Sequence, residues 1–526
     1  LEALLKSSDK EVHAFEPNPA VLRAVLESRD CVFVLERLAS LTVSKDAFRK
    51  FAETLETDEL STCFIADPQT QALEAEEIRQ ARTIFWSGRK VESLRPSIAV
   101  VGPVYGGSLP IAAYLYKALR QLGHRVQYFD LADFYQPYLK IKSFVSERGR
   151  VDTLQTSYVE MLSKLVLESL AERPVDLLIS LAQAPLSPDA LTELRNRGVV
   201  TAQWFVEDCR RFPTWQHISR FYDYMFLIQD DPYLSLVEAA GAGRAIYLPL
   251  ACDPEIHRPL ELTEEEKITW GSPISFVGAG YNNRRQSFAG LVRKNLRIWG
   301  TEWPRMYPFD RMVQDAGRRV TPEEYVKIFN ASTINLNLHS STERDGVEPF
   351  GDFVNPRTFE LAACGAFQLV DERKHLSDMF EIGSELATFT SIPEMEEKID
   401  YYMSNPRARH EIQQASRARV LRDHTYQQRV KQLLGYIFAD KFEYFRGRMQ
   451  DGPWPRTLTA AEKYPDLHRR FEKVFQRGDD PTLLNLVADI QQGKGALSED
   501  EQKLMFLHNL KSQIAYVNEL RQGKRA

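Results

Sequence analysis

The residue types best suited to chemistry lie in the segment EPFGDFVNPRTFELAACGAFQLVDE, residues 348–372. Asn355 followed by Pro356 predicts the start of a short helix, because asparagine caps helix N-termini and proline fits the first helical position. Gly365 predicts the end of that helix, which therefore spans roughly residues 356–364. The free N–H groups and the dipole at a helix start attract anions such as a diphosphate.

Two charged side chains of this helix extend the same chemistry. Arg357 lies in the first turn, where a cation opposes the helix dipole, and it therefore indicates an anionic partner. Glu360 lies just over one turn inside the helix. Its carboxylate can accept hydrogen bonds from two vicinal hydroxyls, such as those of a ribose. Asn355, Arg357 and Glu360 together predict a site for a nucleoside diphosphate.

A second candidate element is FVGAGYNNRRQSF, residues 276–288. Gly278 ends a predicted strand and permits close backbone approach, and the paired Arg284 and Arg285 can clamp a diphosphate. GAGYNN is not a GxGxxG fingerprint, and no acidic residue ends the next strand, so nicotinamide binding is disfavoured. For one of the two arginines, a solvated position at the start of a helix remains the alternative.

Three further side chains lie where predicted strands end. Glu207 and Asp208 follow the strand VVTAQWFV, a position that suits an acceptor contact or a general base, while a helix N-cap is an equal alternative for Asp208. His339 ends the strand TINLNLH. It either contacts the donor or has a structural role, and the sequence leaves both open.

The segment 348–372 resembles the donor site of retaining GT-B glycosyltransferases, in which two acidic residues stand eight apart before an A-C-G turn. Here Glu360 is the second acid, and the residue eight positions earlier is Asp352 rather than Glu, with Glu348 four residues before it. NPRTFELAACGAFQLVDE together with FVGAGYNNRR is similar to the CgeB-like (spore-maturation-type) glycosyltransferases, a family related to the retaining group-1/4 enzymes. This resemblance covers mainly residues 273–435.

The resemblance implies transfer of a hexosyl or related sugar (EC 2.4) from a nucleotide-diphospho-sugar to a protein or glycan acceptor. It implies a ribose contact for Glu360, and a place near the transferred sugar or acceptor for the loop VGPVYGGS (101–108). We expect a UDP-sugar ahead of a GDP- or dTDP-sugar, with no cofactor and no metal, because arginines and a helix dipole can stabilise the leaving diphosphate. The candidate catalytic residues are Asp208, Asp352 and His339, and the candidate donor-binding residues are Glu360, Arg284, Arg285, Arg357, Asn355, Gly106, Gly107 and Gly278.

The elements that position these residues are predicted to form two doubly wound, Rossmann-like α/β sheets, because apolar strand-length runs alternate with helix-length spacers. The first set of strands is predicted at 98–102, 125–129, 176–182, 199–206, 224–229 and 245–250, and the second at 273–280, 295–300, 333–339, 366–370 and 386–391. A charged, Pro-bounded linker at 257–273 separates them. We expect an acceptor domain at 95–265, a donor domain at 270–440, an N-terminal α/β segment at 1–94 and a helical extension at 441–526.

Composition limits the function classes. The 526 residues are 43% hydrophobic and 27% charged, and their net charge of −6 offers no basic excess for nucleic acid. No apolar run is long enough to span a bilayer, so we expect a soluble, cytoplasmic protein, with peripheral membrane contact left open. Five scattered cysteines predict neither a disulfide framework nor a zinc site, and buried inert thiols are favoured. The chain begins with Leu1, so an upstream part is expected to be missing.

The segment FEPNP near the N-terminus resembles the acidic strand end of adenosylmethionine-dependent methyltransferases, where Glu16 would hold a ribose. Those enzymes need a Gly-rich loop one strand earlier, and the ten residues before this strand contain no glycine. A simple strand–turn–helix with Asn18 as cap and Pro19 at the first position is favoured. A degenerate methyltransferase-like module is the alternative.

Two functions from different classes remain open for the whole chain. The first is the glycosyltransferase. The second is a GT-B-like binding or scaffold subunit of a surface-glycan or protein-glycosylation assembly, kept open by Asp352 standing where the family has Glu. The sequence does not determine the oligomeric state.

Overall fold

A computed structural model gives the fold. It describes residues 5, 11–16, 18–54, 78, 80–82, 84–85, 94–341, 344–450, 457–458, 460–477, 479, 482–493 and 496–521. The chain divides into two compact units. The first comprises Leu1–Pro96, Leu122–Arg125 and Lys431–Ala526, and the second comprises Ser97–Gln121 and Val126–Val430.

The N-terminal part of the first unit contains a two-stranded parallel sheet of β1 (His13–Glu16) and β2 (Ser40–Val43), with helices Pro19–Ser28, Val32–Arg37 and Lys45–Thr54. The Asn18 side chain accepts the N–H of Ala20 at 3.0 Å, and the Glu16 carboxylate accepts the N–H of Asn18 at 2.9 Å. The favoured strand–turn–helix is confirmed, and Glu16 is engaged in the turn itself. The C-terminal part is helical where it is described, at Pro465–Gln476, Leu483–Gln492 and Glu499–Arg521.

The first large sheet has six strands in the order β4-β3-β5-β6-β7-β8. Its strands are β3 (Ser97–Val101), β4 (Arg125–Phe129), β5 (Leu177–Leu181), β6 (Val200–Phe205), β7 (Tyr224–Leu227) and β8 (Ala245–Tyr247). Strands β3, β5, β6, β7 and β8 pair in parallel. The connecting helices are Leu109–Gln121, Tyr135–Lys140, Arg148–Glu172, Pro188–Asn196, Trp215–Ile218 and Tyr233–Ala239.

The second large sheet has five parallel strands in the order β10-β9-β11-β12-β13. Its strands are β9 (Ile274–Val277), β10 (Leu296–Trp299), β11 (Ile334–Asn337), β12 (Gln368–Asp371) and β13 (Ala387–Phe389). The helices of this half are Glu264–Trp270, Asn282–Phe288, Pro322–Ala331, Pro356–Ala363, Leu376–Met379, Ile392–Ser404, Pro406–Asp423 and Tyr426–Gln450. Phe276, Leu336 and Leu369 are among the core residues of this sheet, with at most 3% of each exposed.

Every strand predicted for the two sheets is present, so the doubly wound α/β fold is confirmed. One segment differs from the prediction. The linker 257–273 contains the helix Glu264–Trp270, because Thr263 and Glu266 form a reciprocal capping box that satisfies the first backbone N–H groups. The bounds of the four predicted domains stay a prediction.

Strand order fixes where a ligand can bind. In the second sheet the chain runs from β9 out to β10 and then returns to the other side of β9 as β11. Ligands of doubly wound sheets bind at such a reversal point, outside the carboxyl ends of the two strands. The loops after β9 and β11 therefore frame the expected pocket.

Two further sequence expectations concern the cysteines and the membrane. Cys209, Cys252 and Cys364 are buried free thiols, and burial raises the pKa of each, as expected for inert cysteines. Cys31 is half-buried, and Cys63 lies outside the described residues. None of the helices in the described part of the chain is both long and apolar enough to cross a bilayer.

Candidate functional site

The helix Pro356–Ala363, named the site helix from here on, has the predicted ends. The Asn355 side chain accepts the N–H of Thr358 at 3.2 Å, and Pro356 occupies the first helical position. Gly365 adopts a φ of 64°, the left-handed conformation that closes a helix. The residues 355–357 are half-buried, so the helix start lies neither in the core nor in open solvent.

A small pocket lies against the start of the site helix. Its walls come from the carboxyl-terminal halves of β9 and β11 and from Asn355, Arg357 and Arg284. All of its lining residues belong to the second sheet and the helices around it. The pocket therefore occupies the reversal point of that sheet, with the positive end of a helix dipole beside it.

Buried amides fix the helix start to the sheet. Asn337, at the end of β11, donates to the Thr358 hydroxyl at 3.0 Å and to the Gln368 side-chain oxygen at 3.1 Å. The Asn355 amide donates to the Asn337 side-chain oxygen at 2.8 Å. Because these groups satisfy one another out of water, the network holds the helix start in one orientation.

Arg284 is a buried cation of this pocket, 9% exposed. Its Nε donates to the Leu338 carbonyl at 2.9 Å and its Nη1 to the Ala279 carbonyl at 3.0 Å. Burial lowers the pKa of its guanidinium to about 10. Within the described ranges, no carboxylate forms an ion pair with Arg284. The guanidinium also lies over the Phe276 and Tyr281 rings, so a cation held by carbonyls and aromatic rings borders the pocket.

Arg285 takes a different direction. Its Nη2 donates to the Glu302 carbonyl, and it does not line the pocket. Gly278 lies beside Arg284: a Cβ added to this glycine would meet the Phe276 ring at 3.0 Å and Arg284 Nη1 at 3.2 Å. A residue without a side chain is therefore needed at position 278 to leave Arg284 in place.

Glu360 is 4% exposed and engaged on two sides. Its carboxylate pairs with the Arg357 guanidinium, and it accepts from the Tyr325 hydroxyl at 3.4 Å. His257 Nε2 lies 3.6 Å away, and burial lowers the pKa of this imidazole, so it is neutral near neutral pH. Because Arg357 also lines the pocket, it connects the Glu360 carboxylate to the pocket wall. The ribose contact stays a prediction.

Both ring nitrogens of His339 are occupied. Nε2 accepts the backbone N–H of Asn355 at 2.8 Å, so the proton is on Nδ1, which donates to Asp371 Oδ1 at 2.6 Å. Burial lowers the pKa of His339, and the nearby Arg373 acts in the same direction. Asp371 lies 3.3 Å from Arg373 Nη1. This geometry suits a residue that positions the site helix, and contact with the donor stays a prediction.

Two predicted acids, Asp208 and Asp352, meet at one arginine that the sequence did not single out. Arg210 Nε donates to Asp208 Oδ1 at 3.1 Å, and Arg210 Nη2 donates to Asp352 Oδ1 at 2.9 Å. Gln229 contacts both carboxylates as well. The only sequence signals were the two arginines after the acidic pair in VEDCRR and the polar Gln229 ending the apolar run YMFLIQ.

The loop after β3 also faces a residue that the sequence did not single out. Gly106 has a φ of 110°, and its carbonyl accepts from Arg319 Nη1 at 3.2 Å, while Gly107 approaches the same guanidinium. Ser108 donates to the Glu207 carboxylate at 2.8 Å, and burial raises the pKa of Glu207. This loop therefore brings a carboxyl group with a raised pKa and a cation to the carboxyl edge of the first sheet.

Parts of the chain are similar to known proteins. Residues 284–435 match the family described as "Glycosyl transferase-like". The chain is 25% identical over 231 residues to the spore protein CgeB of Bacillus subtilis (strain 168), which covers 42% of this chain and 70% of CgeB. Similar solved structures include sucrose-phosphate synthase from Thermosynechococcus elongatus (TM-score 0.46, 11% identity, 66% of this chain and 100% of that one). Another is Anabaena HepE in complex with UDP-glucose (TM-score 0.44, 10% identity, 66% of this chain and 100% of that one).

The chain thus combines two Rossmann-like sheets in one unit with a pocket bordered by arginines at the second sheet, and its residues 284–435 are similar to glycosyltransferases. The similarity to the spore protein CgeB extends over 231 residues. The resemblance predicted from NPRTFELAACG and FVGAGYNNRR is thereby confirmed.

Proposed function

We propose that this protein transfers a sugar from a nucleotide-diphospho-sugar to a protein or glycan acceptor, with the donor diphosphate bound in the pocket at the start of the site helix. One observation carries the proposal: Arg284 is buried in that pocket beside the helix start, with no carboxylate partner among the described residues. Desolvating an unpaired cation is costly, and a bound diphosphate offsets that cost.

The helix start supplies further stabilisation. Pro356 has no N–H and the Thr358 N–H is bonded to the Asn355 cap, so the first turn offers the Arg357 N–H to a phosphate oxygen, and the helix dipole favours negative charge. Arg357 lies in this first turn and lines the pocket. These fixed positive groups stabilise the departing nucleoside diphosphate without a metal ion, so we propose a metal-independent reaction.

In this proposal Glu360 binds the ribose. Its carboxylate is paired with Arg357, and vicinal hydroxyls can take the place of that guanidinium when the diphosphate draws Arg357 into the pocket. In the same proposal Asp352 contacts the donor sugar. Gly106, Gly107 and Glu207 meet the acceptor from the first sheet. We propose a UDP-sugar as donor ahead of a GDP- or dTDP-sugar, and a hexosyl or related group as the transferred unit.

A thermal-shift panel of UDP, GDP, dTDP and CMP tests the donor site, because a ligand that binds only the folded state raises its stability. We expect selective stabilisation by UDP. The variant Glu360→Ala is expected to lose at least half of that shift, whereas Glu323→Ala, an exposed glutamate on the neighbouring helix Pro322–Ala331, is expected to keep it. An unchanged shift in Glu360→Ala contradicts the ribose contact.

Hydrolysis of UDP-, GDP- and dTDP-glucose by the purified protein separates the enzyme from the scaffold subunit. Release of the nucleoside diphosphate above the uncatalysed rate supports the enzyme. Binding without turnover for every donor favours the scaffold.

A further inference from the structure

Both carboxylate oxygens of Asp352 are held by residues of the other sheet. Oδ1 accepts from Arg210 Nη2 at 2.9 Å, and Oδ2 accepts from Gln229 Nε2 at 3.1 Å. Arg210 follows β6 and Gln229 follows β7, both in the six-stranded sheet, while Asp352 lies in the loop before the site helix. The carboxylate therefore depends on the first sheet for its orientation.

The two holding groups are themselves fixed. Gln229 is fully buried, and its Oε1 accepts the Cys209 N–H at 2.7 Å, so its Nε2 must face the carboxylates. Arg210 is braced by Asp208, whose oxygens accept from Nε at 3.1 Å and from Nη2 at 3.3 Å. The side chains of Arg210 and Gln229 are thus already ordered, so they lose little rotamer entropy when they bind the Asp352 carboxylate.

Charge favours the same arrangement. The Arg210 side chain is 20% exposed and that of Asp352 is 21% exposed, so their attraction is screened less than that of a surface pair. Glu348 adds a second donor-side carboxylate 3.9 Å from Arg210 Nη1. Although burial opposes it, the interactions with Asp208, Asp352 and Glu348 raise the pKa of Arg210, so this guanidinium stays charged.

We propose that Arg210 and Gln229 are positioning residues for Asp352, which orient this donor-side carboxylate from the opposite sheet and only while the two sheets are held together. The proposal rests on the proposed function in one respect, the place of Asp352 at the donor sugar. Arg210 contacts neither the pocket nor the site helix, so it acts through Asp352.

Hydrogen exchange of the full chain tests the contact directly. In Arg210→Gln we expect the backbone amides of residues 348–354 to exchange at least about tenfold faster than in the unchanged protein, because their loop loses its cross-sheet partner. Arg210→Lys keeps one charged donor, so its exchange rates at residues 348–354 are expected to lie between those of Arg210→Gln and the unchanged protein. The matched control is Arg197→Gln, which removes an exposed pair with Glu193 on the same half of the protein. Wild-type exchange in Arg210→Gln overturns the proposal.

Kinetics with UDP-glucose test what the contact does. We expect Arg210→Gln to lower kcat for UDP release by about 10- to 100-fold with KM changed less than about threefold, because the diphosphate site is intact. Arg210→Lys is expected to recover part of kcat. The double variant Arg210→Gln/Asp352→Asn should be no slower than the slower single variant, since both changes act through one carboxylate.

The two proposals fail in different ways. Additive losses in the double variant, or a loss confined to KM, overturn the positioning role of Arg210. If the unchanged protein shows neither a thermal shift with UDP nor turnover of a sugar nucleotide, the proposed function fails. The exchange result at 348–354 then still decides whether Arg210 orients Asp352.

Discussion

His339 holds the residue that caps the site helix: its Nε2 accepts the backbone N–H of Asn355 at 2.8 Å. Nδ1 of the same ring donates to Asp371 at the end of β12, and Asp371 is paired with Arg373. Because both nitrogens are engaged, the imidazole cannot rotate without breaking a buried hydrogen bond. The pocket wall is therefore rigid before any ligand arrives, which reduces the ordering cost of binding.

Replacing Asn355 by Ala removes the helix cap and the hydrogen bond to Asn337. We expect the free energy of unfolding to fall by about 1 to 2 kcal/mol and the affinity for UDP to fall with it. Urea unfolding and calorimetric titration with UDP measure the two effects. Asn18→Ala, which removes an asparagine cap elsewhere in the chain, provides the control: it should cost stability and leave UDP affinity unchanged.

The adjacent arginines form a matched pair of variants. Arg284→Gln removes the cation that lines the pocket, and we expect UDP affinity to drop at least about tenfold, the range for loss of a charged hydrogen-bond donor. Arg285→Gln removes a guanidinium directed to the Glu302 carbonyl and should change UDP affinity less than about twofold. Equal losses in the two variants, measured by titration calorimetry, contradict the assignment of the pocket.

Gly278→Ala tests the close approach of backbone and guanidinium. The added methyl would stand 3.0 Å from the Phe276 ring and 3.2 Å from Arg284 Nη1, so Arg284 must shift. We expect UDP affinity, measured by calorimetric titration, to fall several-fold. The free energy of unfolding, measured with urea on the same samples, should fall only slightly. Gly447→Ala is the control. It lies in a helix, where alanine stabilises by about 0.5 to 1 kcal/mol, and no described atom lies within 4 Å of its added carbon.

His124 predicts a pH dependence of stability. It is fully buried with both ring nitrogens unpartnered, and burial, together with Arg95, lowers its pKa to about 3. In the unfolded chain the pKa of this imidazole is near 6.5. Between the unfolded and the folded pKa, the unfolded state therefore binds more protons than the folded state, so the free energy of unfolding decreases as the pH falls. The free energy of unfolding, measured with urea, should decrease between about pH 7 and pH 5 by roughly 2 kcal/mol less in His124→Leu than in the unchanged protein.

The exposed His410 is the control for this pH prediction. His410→Leu should leave the slope of stability against pH unchanged, because it removes an exposed side chain and leaves His124 in place. A His124→Leu variant with the wild-type slope would show that the pKa of His124 is the same in the folded and unfolded states.

Local patterns predicted most of the backbone. Apolar runs such as LLISL and VTAQWF could only be buried parallel strands, and the order Asn355, Pro356 and Gly365 fixed a helix and its two ends. These predictions succeeded because capping and strand burial depend on neighbours within a few residues. The segment 257–273 was predicted only as a charged, Pro-bounded linker, and the structure adds a short helix there, which begins at the capping box of Thr263 and Glu266.

Long-range pairings were beyond the sequence. Arg210 and Asp352 are 142 positions apart, and no local rule indicates that one guanidinium meets two acids from different sheets. The two arginines at 284 and 285 have the same sequence context, and only the rotation of their helix turns the first toward the pocket and the second toward Glu302. Arg319 carried no signal by itself, and the only signal of Gln229 was its place at the end of the apolar run YMFLIQ.

The sequence by itself determined the strands, the capped helix at Asn355 and the resemblance to glycosyltransferases carried by NPRTFELAACG and FVGAGYNNRR, because these are properties of short segments. Only the tertiary structure decided which charges lack a partner and which carboxylates are held from across the two sheets. The physical reason is that desolvation and pairing depend on every group within a few ångströms in space, and at Arg284 and Asp352 those groups come from segments far apart in the chain.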